Sequence, residues 1–378
     1  MNVKNTVAEK QEEAFSSLKD NSLLEYLLIL ITDISNQMKD SLNIAIAGAT
    51  GYIGIQLVKI LSRHPKVKIS YLCANKSAGK SIYDFDKSIK KRNLPKITKI
   101  NKINIKKIDV LFASLPNGEA QKIARTLPKN IKLIDLSGDF RLDDYKSYKK
   151  WYGINHKCKN LIKKSIYSLT EFSRNDLYKY NIISCPGCYP TSIQIPLIPL
   201  LIKRAISTNN IIIDSKSGYS GAGKNIKKKF NYKNLFQSVG VYGVGSHKHM
   251  PEIDQQLSKA ANIKIKVIFT PHLIPMFRGI LSTIYLETKK KYNVKKIHSL
   301  LTKYHKNNYF IKIAKINTPI NTGDVMNTNF CKISVCNDRK SNRIIIVSAI
   351  DNLIKGGSGQ AVQNMNAAFN IKENIGLL

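Results

Sequence analysis

The sequence is poor in acidic residues, in cysteine and in long apolar runs. It has 25 Asp and Glu residues against 61 Lys and Arg, which gives a formal net charge of +36. The basic residues are spread along the whole chain, and no helix-turn-helix, zinc-finger or RNA-binding signature accompanies them. The charge therefore does not predict a nucleic-acid partner, and the accompanying excess of Ile and Asn is typical of a codon bias.

Six cysteines in 378 residues argue against a disulfide scaffold. The apolar run at residues 23–31 contains Glu25, and it is shorter than the roughly 20 residues that a membrane-spanning helix needs. It also lacks a basic leader and a small-residue cleavage site. We therefore expect a cytoplasmic protein without membrane association, and we interpret residues 1–40 as a helical N-terminal extension.

Strands and helices alternate in the first half of the chain. Apolar runs at residues 42–48, 67–74, 108–115 and 131–138 predict strands, with helical patterns between them. Such alternation predicts a parallel sheet that binds its ligand at the carboxyl ends of the strands. After a predicted helix at residues 191–205, several runs alternate apolar and polar residues, which predicts a mostly antiparallel second sheet. A glycine loop then opens a last helix.

The stretch GATGYIG connects the first predicted strand to the first helix. Its glycines, Gly48, Gly51 and Gly54, let the backbone turn tightly and let a pyrophosphate approach the N–H groups of the helix N-terminus. The spacing is GxxGxxG, so the glycines alone leave a purely structural turn open. The strand-to-helix context favours dinucleotide binding.

No acidic residue follows the second predicted strand. NAD-binding proteins usually have an Asp or Glu there, which holds the ribose hydroxyls. This sequence instead has Lys76, Ser77 and Lys80. Those side chains suit a 2′-phosphate and predict NADP; a solvated basic loop is the alternative.

Two cysteines, Cys185 and Cys188, lie close together in the stretch SCPGCYPTS. A zinc site would need a second pair, but Cys331 and Cys336 lie in a strand-like run with an unfavourable gap. A thioredoxin-like pair would follow the first strand. A single nucleophile fits better: Pro190 marks the first turn of a helix, whose N-terminus would stabilise a Cys188 thiolate. Cys185 is then a bystander.

The stretch VGSHKHMPEID offers a proton acceptor for this thiol. We expect His247 and His249 to lie in an extended segment and to point the same way, so that one of them exchanges a proton. Glu252 would orient a ring or receive a cationic group. A zinc site at the histidine pair remains an alternative, and His272 and Arg278 are further candidate anion contacts.

In these motifs the sequence resembles the N-acetyl-γ-glutamyl-phosphate reductases, arginine-biosynthesis enzymes related to aspartate-semialdehyde dehydrogenase. The matching blocks lie between residues 42 and 370 and follow the family's order: GATGYIG, SAGK, SLPNG, IDLSGDFRL, WYG, PGCYPT, SGAGK, VGSHKHMPEI, TPHLIPMFRGI and NLIKGGSGQAVQNMN. The resemblance implies an α/β fold with a Rossmann-type NADP-binding domain at residues 41–187 and 352–378. An inserted α+β domain at residues 188–351 would carry catalysis and oligomerisation.

The resemblance also implies roles for individual residues. Cys188 is the nucleophile, and His247, His249 and Glu252 have acid/base and substrate roles. Residues with NADP contacts are Gly48, Thr50, Gly51, Tyr52, Ile53, Gly54, Ser77, Lys80, Ser217, Gly218 and Asn352. No metal is expected, and the protein should form a homo-oligomer, either a dimer or a tetramer.

The implied reaction is the NADPH-dependent reduction of N-acetyl-γ-glutamyl phosphate to N-acetyl-L-glutamate 5-semialdehyde. Phosphate is released, and the acyl group passes through a thioester on Cys188. One alternative is a related semialdehyde dehydrogenase that acts on aspartyl phosphate or on a carrier-linked aminoadipyl phosphate. Outside the enzymes, a zinc-binding or nucleic-acid-binding module is the remaining alternative.

Overall fold

Parallel strands of the first half of the chain form one sheet. The computed structural model describes residues 41–89, 93–224 and 237–378, and the predicted N-terminal helix lies outside them. The strands of this sheet are β1 (Leu42–Ala47), β2 (Val67–Cys73), β3 (Ile97–Thr98), β4 (Val110–Ala113), β5 (Lys132–Asp135), β6 (Ser165–Tyr167) and β7 (Ile182–Ser184). Their order is β3-β2-β1-β4-β5-β7-β6, and each neighbouring pair is parallel. The order reverses between β1 and β4, where doubly wound sheets bind their ligands.

The second half of the chain forms a mixed sheet. Its strands are β8 (Ile212–Gly218), β9 (Gly240–Val241), β10 (Ile268–Ile274), β11 (Ile280–Glu287), β12 (Ile311–Ile313), β13 (Cys331–Asn337) and β14 (Arg343–Ile350). In the order β12-β13-β14-β11-β8-β10-β9, the first pair and the β8–β10 pair are parallel and the others are antiparallel. The predicted α/β fold, with one parallel and one mostly antiparallel sheet, is confirmed.

Helices cover these sheets. They are α1 (Tyr52–Leu61), α2 (Glu119–Ala124), α3 (Tyr145–Tyr152), α4 (Lys159–Ile162), α5 (Thr170–Ser173), α6 (Cys188–Ile202), α7 (Met250–Ala261), α8 (Val294–Tyr304) and α9 (Gly359–Ala368). Short 3₁₀ turns lie at Asn75–Ser77, Ile82–Asp84, Ile100–Lys102, Ile105–Lys107, Leu177–Lys179, Tyr219–Ala222 and Thr322–Val325. In the described part of the chain, no helix has the length and apolar character needed to cross a membrane.

Helix α6 is the apolar centre of the second half. It is buried along almost its whole length, as a helix with apolar residues on all sides must be. Tight packing lets the helix contain Pro196 and Pro199, which would otherwise interrupt it. It begins at Cys188, earlier than the predicted residue 191, because Gly187 is the last extended residue before it.

The chain passes between the two sheets at two places. It leaves the parallel sheet after β7 and returns after β14 through a π-helix, Ile354–Ser358, that continues into α9. The predicted glycine loop is therefore wrong, because residues 356 and 357 are helical. Residues 41–378 form one compact unit by their contacts, so the domain boundaries near residues 187 and 352 stay predictions.

Candidate active site

The glycine turn after β1 is fixed by very close backbone packing. Gly48 has a φ of +81°, and a Cβ there would lie 2.0 Å from the carbonyl oxygen of Ser114. A Cβ on Gly54 would lie 2.1 Å from the oxygen of Gly48, whereas Gly51 has ordinary room. Helix α1 can therefore approach the strands closely. Among the residues that the structure describes, no side chain caps its N-terminus, so its first N–H groups can bind a phosphate.

Other predicted cofactor residues lie in the first turn of α1. The Tyr52 ring packs edge-on against Phe277, with 5.3 Å between the centroids. Lys224 Nζ donates to the Thr50 oxygen at 2.6 Å and lies 5.4 Å from the centre of the Tyr52 ring. Sequence reasoning did not assign Lys224 a role, although it lies in the block SGAGK. Its ammonium group adds a positive charge beside the turn.

The segment after β2 carries the basic residues expected near a 2′-phosphate. Ser77 is half-buried at the end of a 3₁₀ turn, and Lys76 and Lys80 are exposed. The Lys80 oxygen accepts from the Ile97 amide at 3.0 Å, which fixes this segment to β3.

Three predicted cofactor residues lie together at the end of β8: Ser217, Gly218 and Asn352. The contacts described for them join neighbouring loops of the chain. A Cβ on Gly218 would lie 2.7 Å from the Phe277 oxygen. Asn352 accepts from the Gly279 amide at 2.7 Å, and its Nδ2 donates to Ser220 at 3.0 Å. Asn352 thus joins two loops, while Ser217 Oγ donates to the Gly218 oxygen at 3.0 Å.

Cys188 is the first residue of α6, and the residue as a whole is half-buried. Burial of the surrounding site raises its pKa to about 11, against the opposing effects of Arg141 and of the Tyr189 amide. Cys188 lies at a helix N-terminus as predicted, and the backbone amides there lower its pKa in the expected direction, but desolvation outweighs this stabilisation in the ligand-free protein. Desolvation disfavours the charged sulfur more strongly than the nearby charge and dipoles favour it.

The two histidines are neighbours, but they do not lie in an extended segment. His249 has helical dihedrals (φ −83°, ψ −11°) and precedes α7, so the predicted extended conformation is wrong. The ring centroids of His247 and His249 are 4.9 Å apart, and the His249 amide donates to His247 Nδ1 at 3.1 Å. Pro251, at the start of α7, restricts the preceding chain and favours a helix start.

Both histidine rings pack edge-on against Tyr189, with 5.4 and 5.9 Å between the centroids, and His249 also contacts the residue before the thiol. A Cβ on Gly187 would lie 2.3 Å from His249 Nε2, so glycine lets the ring reach the residue before Cys188. Arg141 Nη1 lies 3.4 Å from the same Nε2, and a guanidinium only donates, so Nε2 is the acceptor of a neutral ring. Burial, followed by His247 and Arg141, lowers the pKa of His249 well below its usual value.

A buried charge pair lies beside this histidine. Arg141 donates to the oxygens of Cys185 at 2.9 Å and Leu136 at 3.1 Å, and its Nη1 lies 3.4 Å from Glu252 Oε2. Glu252 was expected either to orient a histidine ring or to receive a cationic group. The structure shows a contact with a cationic group, that of Arg141. Sequence reasoning missed Arg141, although a charged residue between the apolar Phe140 and Leu142 was a signal.

Glu252 also holds the backbone before the thiol. Its Oε1 accepts from the Gly187 amide and from the Tyr167 hydroxyl, each at 2.8 Å. Burial raises its pKa, while Arg141 and both hydrogen bonds oppose that rise. The cluster thus joins four separate segments of the chain in front of α6.

The other cysteines and candidate ligands are less suited to chemistry. Cys185 is buried against Asn364, with Nδ2 3.6 Å from the sulfur, and desolvation raises its pKa to about 12. His272 and Arg278 are paired with Asp214 and Asp351 at 3.1 and 3.0 Å. Within residues 41–89, 93–224 and 237–378, no three His, Cys, Asp or Glu side chains are grouped so that they could hold a metal ion.

The thiol and the glycine turn are connected through two glycines of the π-helix. A Cβ on Gly356 would lie 2.7 Å from Cys188 Cβ, and one on Gly357 would lie 2.7 Å from Ile53 Cδ1. The two glycines thus let the π-helix pack closely between Cys188 and the first turn of α1. The N–H groups at the start of α1 suit the phosphates of a dinucleotide.

Comparisons with known proteins agree with this geometry. Residues 43–180 match the family described as semialdehyde dehydrogenase, NAD binding domain, and residues 188–352 match semialdehyde dehydrogenase, dimerisation domain. The chain is 19% identical to aspartate semialdehyde dehydrogenase II from Vibrio cholerae, with a TM-score of 0.66 over 87% of this chain and 98% of that one. A Candida albicans aspartate semialdehyde dehydrogenase solved with NADP has a TM-score of 0.61 at 16% identity, over 87% and 99% of the two chains.

Sequence relatives are closer. The N-acetyl-gamma-glutamyl-phosphate reductase of Thermoanaerobacter pseudethanolicus is 43% identical over 88% of this chain and 97% of its own length. The enzyme of that name from Ehrlichia canis is 41% identical over 90% and 98%. A probable chloroplastic one from Arabidopsis thaliana is 41% identical over 89% and 84%. The predicted resemblance is confirmed, and the chain belongs to the N-acetyl-γ-glutamyl-phosphate reductase family of NAD(P)-binding oxidoreductases.

Proposed function

We propose that the protein reduces N-acetyl-γ-glutamyl phosphate to N-acetyl-L-glutamate 5-semialdehyde, with NADPH as the reductant and phosphate as the second product, in arginine biosynthesis. One observation carries the chemistry: the Cys188 thiol lies at a helix N-terminus, between the π-helix glycines and the cluster of Arg141, His249 and Glu252. The acyl group is assigned from the names of relatives that are 41–43% identical.

His249 is the base in this proposal. A thiol with a pKa of about 11 is mostly protonated at neutral pH, so it needs a proton acceptor. Neutral His249 has its lone pair on Nε2, beside Gly187, and the contact from Arg141 Nη1 at 3.4 Å is released when Nε2 accepts the thiol proton. An anionic substrate bound between Arg141 and this ring favours the imidazolium, which makes the proton transfer easier.

The thiolate then attacks the acyl carbonyl carbon. A C–S bond forms, the bond from carbon to the phosphate oxygen breaks, and phosphate leaves with that electron pair and takes a proton from the solvent. Arg141 balances the negative charge, and the N–H groups at the start of α6 stabilise the oxyanion. A bound reduced nicotinamide supplies the hydride that reduces the thioester carbonyl. The second oxyanion expels the Cys188 thiolate as the aldehyde is released, and protonated His249 returns its proton to the sulfur.

We assign NADP rather than NAD from the segment after β2. No acidic residue stands between Cys73 and Ile82, while Lys76 and Lys80 are exposed and Ser77 is half-buried. A 2′-phosphate is attracted to such a segment, and the ribose hydroxyls of NAD find no carboxylate there.

A homo-oligomer is proposed through the open face of the second sheet. Ile212, Ile268 and Tyr285 are exposed on β8, β10 and β11. Both Ile268 and Tyr285 pair with Ile212 in the strand register, so the three form one apolar patch. A patch of this kind on a sheet face favours association with a second copy.

Two further assignments belong to this proposal. All six cysteines are free, which suits a reducing compartment such as the cytoplasm. The dinucleotide-binding domain comprises residues 41–187 and 352–378, and the catalytic domain residues 188–351. The support for these boundaries is that the chain passes between the sheets near them.

The reverse reaction tests the proposal directly. Purified protein, N-acetylglutamate semialdehyde, NADP⁺ and phosphate should produce NADPH, and the rate should fall to background without phosphate. Aspartate semialdehyde is the comparison substrate for the related dehydrogenases, and one methylene changes kcat/KM by about 10- to 200-fold. A higher kcat/KM for aspartate semialdehyde would contradict the acyl-group assignment.

A further inference from the structure

A fully buried lysine directly precedes the two glycines of the π-helix. The side chains of Lys355 and Glu171 are both 0% exposed, and Nζ lies 2.6 Å from Oε1. Nζ also donates to Gln363 Oε1 at 2.8 Å and faces the Phe310 ring, 5.7 Å from its centre. The mechanism proposed above does not use this ammonium group. A charge so completely removed from water is costly unless its partners are fixed.

The partners of this lysine connect three elements. Glu171 lies in α5, Gln363 in α9 and Lys355 in the π-helix. Gln363 Nε2 donates to the same Glu171 oxygen at 2.9 Å and to Glu373 Oε2 at 2.8 Å. Asn329 Nδ2 donates to Gln363 Oε1 at 2.9 Å. The ammonium group is thus held by a rigid network and cannot shift alone.

Three consecutive residues of the π-helix face three different neighbours. Lys355 is directed to the buried network. Gly356 contacts Cys188, since a Cβ there would lie 2.7 Å from the Cys188 Cβ. Gly357 contacts Ile53 in the first turn of α1 in the same way, at 2.7 Å. A small rotation of this turn would change both contacts together.

The start of the π-helix is fixed separately. Asp351 Oδ1 accepts from the amides of Leu353 and Ile354 at 2.9 and 3.2 Å. The Ser358 amide donates to the Leu353 oxygen, five residues earlier, at 3.0 Å. The end of the turn continues directly into α9, where Gln360 Nε2 donates to Thr170 Oγ1 at 2.8 Å. The ion pair of Lys355 adds a fixed point within the turn, between its start and α9.

We infer that Lys355 is a positioning residue whose buried ion pair with Glu171 sets the rotation of the π-helix. The pair keeps Gly356 packed against Cα and Cβ of Cys188, and Gly357 packed against Ile53 in the first turn of α1. It acts on the reaction through these glycines and does not touch the substrate. The inference rests on the proposed thiol chemistry for its effect on rate, but it also concerns the ligand-free protein.

The test removes both charges at once. Lys355→Met alone would leave a buried carboxylate unpaired, so the decisive variant is Lys355→Met/Glu171→Gln. The matched control is Lys132→Met. Lys132 is also a buried lysine, but it lies at the amino end of β5 and donates to the oxygens of Tyr178 and Tyr180. Circular dichroism and the melting temperature report folding for each protein.

Alkylation of ligand-free protein by iodoacetamide, located by mass spectrometry, measures the exposure of Cys188. In the double variant we expect this rate to rise at least threefold, NADPH to bind at least threefold more weakly, and kcat to fall at least tenfold. Destabilisation would also expose Cys188 and lower turnover, so positioning requires in addition that the melting temperature is unchanged and that buried Cys185 stays unmodified. Lys132→Met should change none of the three by more than twofold.

A folded double variant with all three values within twofold of the wild type would refute the inference. If that variant does not fold, Glu171→Asp keeps both charges and moves the carboxylate by one methylene. It should change alkylation and kcat in the same directions by at least twofold, and unchanged values would again refute the inference. Alkylation and NADPH binding need no substrate, so they test the inference even if the proposed reaction is wrong.

Discussion

Two helices of this protein begin alike but face different surroundings. Both α1 and α6 follow a strand of the parallel sheet and start after an extended glycine, Gly51 (φ −72°, ψ 166°) and Gly187 (φ −69°, ψ 159°). At α6, the Gly187 N–H donates to the buried carboxylate of Glu252. At α1, the neighbouring charge is the exposed ammonium group of Lys224, which donates to the Thr50 oxygen.

The comparison shows that the backbone alone does not decide what a helix N-terminus does. Its positive end attracts an anion in either case. At α6 the protein supplies that anion itself, and Arg141 compensates its charge, so the remaining polar groups can act on a bound acyl group. At α1 no side chain of the described residues caps the helix, so its first amides suit the phosphates of a ligand.

The largest effect should come from removing the sulfur at α6. We expect Cys188→Ser to lower kcat by at least about 1,000-fold, because the serine hydroxyl is a far weaker nucleophile. The Kd for NADPH should stay within about twofold, since α1 is untouched. Cys185→Ser is the matched control and should keep most of the activity. A Cys188→Ser enzyme with a tenth of the wild-type rate would refute the assignment.

Neutralising the carboxylate at α6 should have the next largest effect. Glu252→Gln keeps the size of the side chain but leaves the buried Arg141 without its counter-charge. An uncompensated buried charge costs about 3 kcal/mol, which corresponds to a factor of roughly 150 in kcat/KM. We expect kcat/KM to fall by about that factor while NADPH binding is unchanged. Steady-state kinetics and fluorescence titration measure the two quantities. Equal losses in both would show that the two helix starts are not independent.

At α1, a methyl group on the third glycine should weaken cofactor binding. Gly54→Ala places a Cβ 2.1 Å from the Gly48 oxygen, and such overpacking costs about 1–3 kcal/mol, or roughly 5- to 150-fold in NADPH affinity. Gly51→Ala is the matched control, because its Cβ would have 3.4 Å of room. Cys188 alkylation should not change in either variant. If both variants bind NADPH equally well, close packing of Gly54 does not shape the phosphate-binding turn before α1.

The pH dependence of alkylation should sharpen the difference between the two cysteines near α6. Only the thiolate reacts, and below its pKa the thiolate fraction rises about tenfold per pH unit. With the pKa of Cys188 raised to about 11, the alkylation rate in ligand-free protein should rise about tenfold from pH 8 to pH 9. Buried Cys185 should stay unmodified in folded protein. A plateau below pH 8 would show that the thiolate is stabilised after all.

The smallest effect should come from the exposed lysines after β2. We expect Lys76→Ala/Lys80→Ala to raise the Kd for NADPH about threefold and to leave that for NADH unchanged, because exposed charges contribute only about 0.2–1 kcal/mol each. Lys68→Ala, an exposed lysine on β2, is the control. An equal loss for both nucleotides would remove the argument for a 2′-phosphate contact.

The sequence predicted what depends on neighbouring residues. The strand, glycine turn and α1 follow from apolar periodicity and from three glycines within seven residues, and Pro190 marked the start of α6. The extended histidine segment was wrong because the two-residue spacing was taken as evidence for a strand. Pro251, one of the first residues of α7, was the better signal.

Contacts between distant segments were beyond that reasoning. Arg141 and Glu252 are 111 positions apart, and Lys355 and Glu171 are 184 apart. No local pattern in a single lysine-rich sequence distinguishes a buried lysine from the many exposed ones. The raised pKa of Cys188 depends on how closely three segments surround it, which only the folded chain determines.

Both passages of the chain between the sheets lie close to Cys188. The outgoing segment contains Cys188 itself, and Gly356, in the π-helix of the returning segment, contacts it. Any rocking of one sheet against the other therefore turns about an axis near these crossings. Displacements grow with distance from such an axis. Groups beside the crossings, such as the sulfur, would therefore shift least in such a movement.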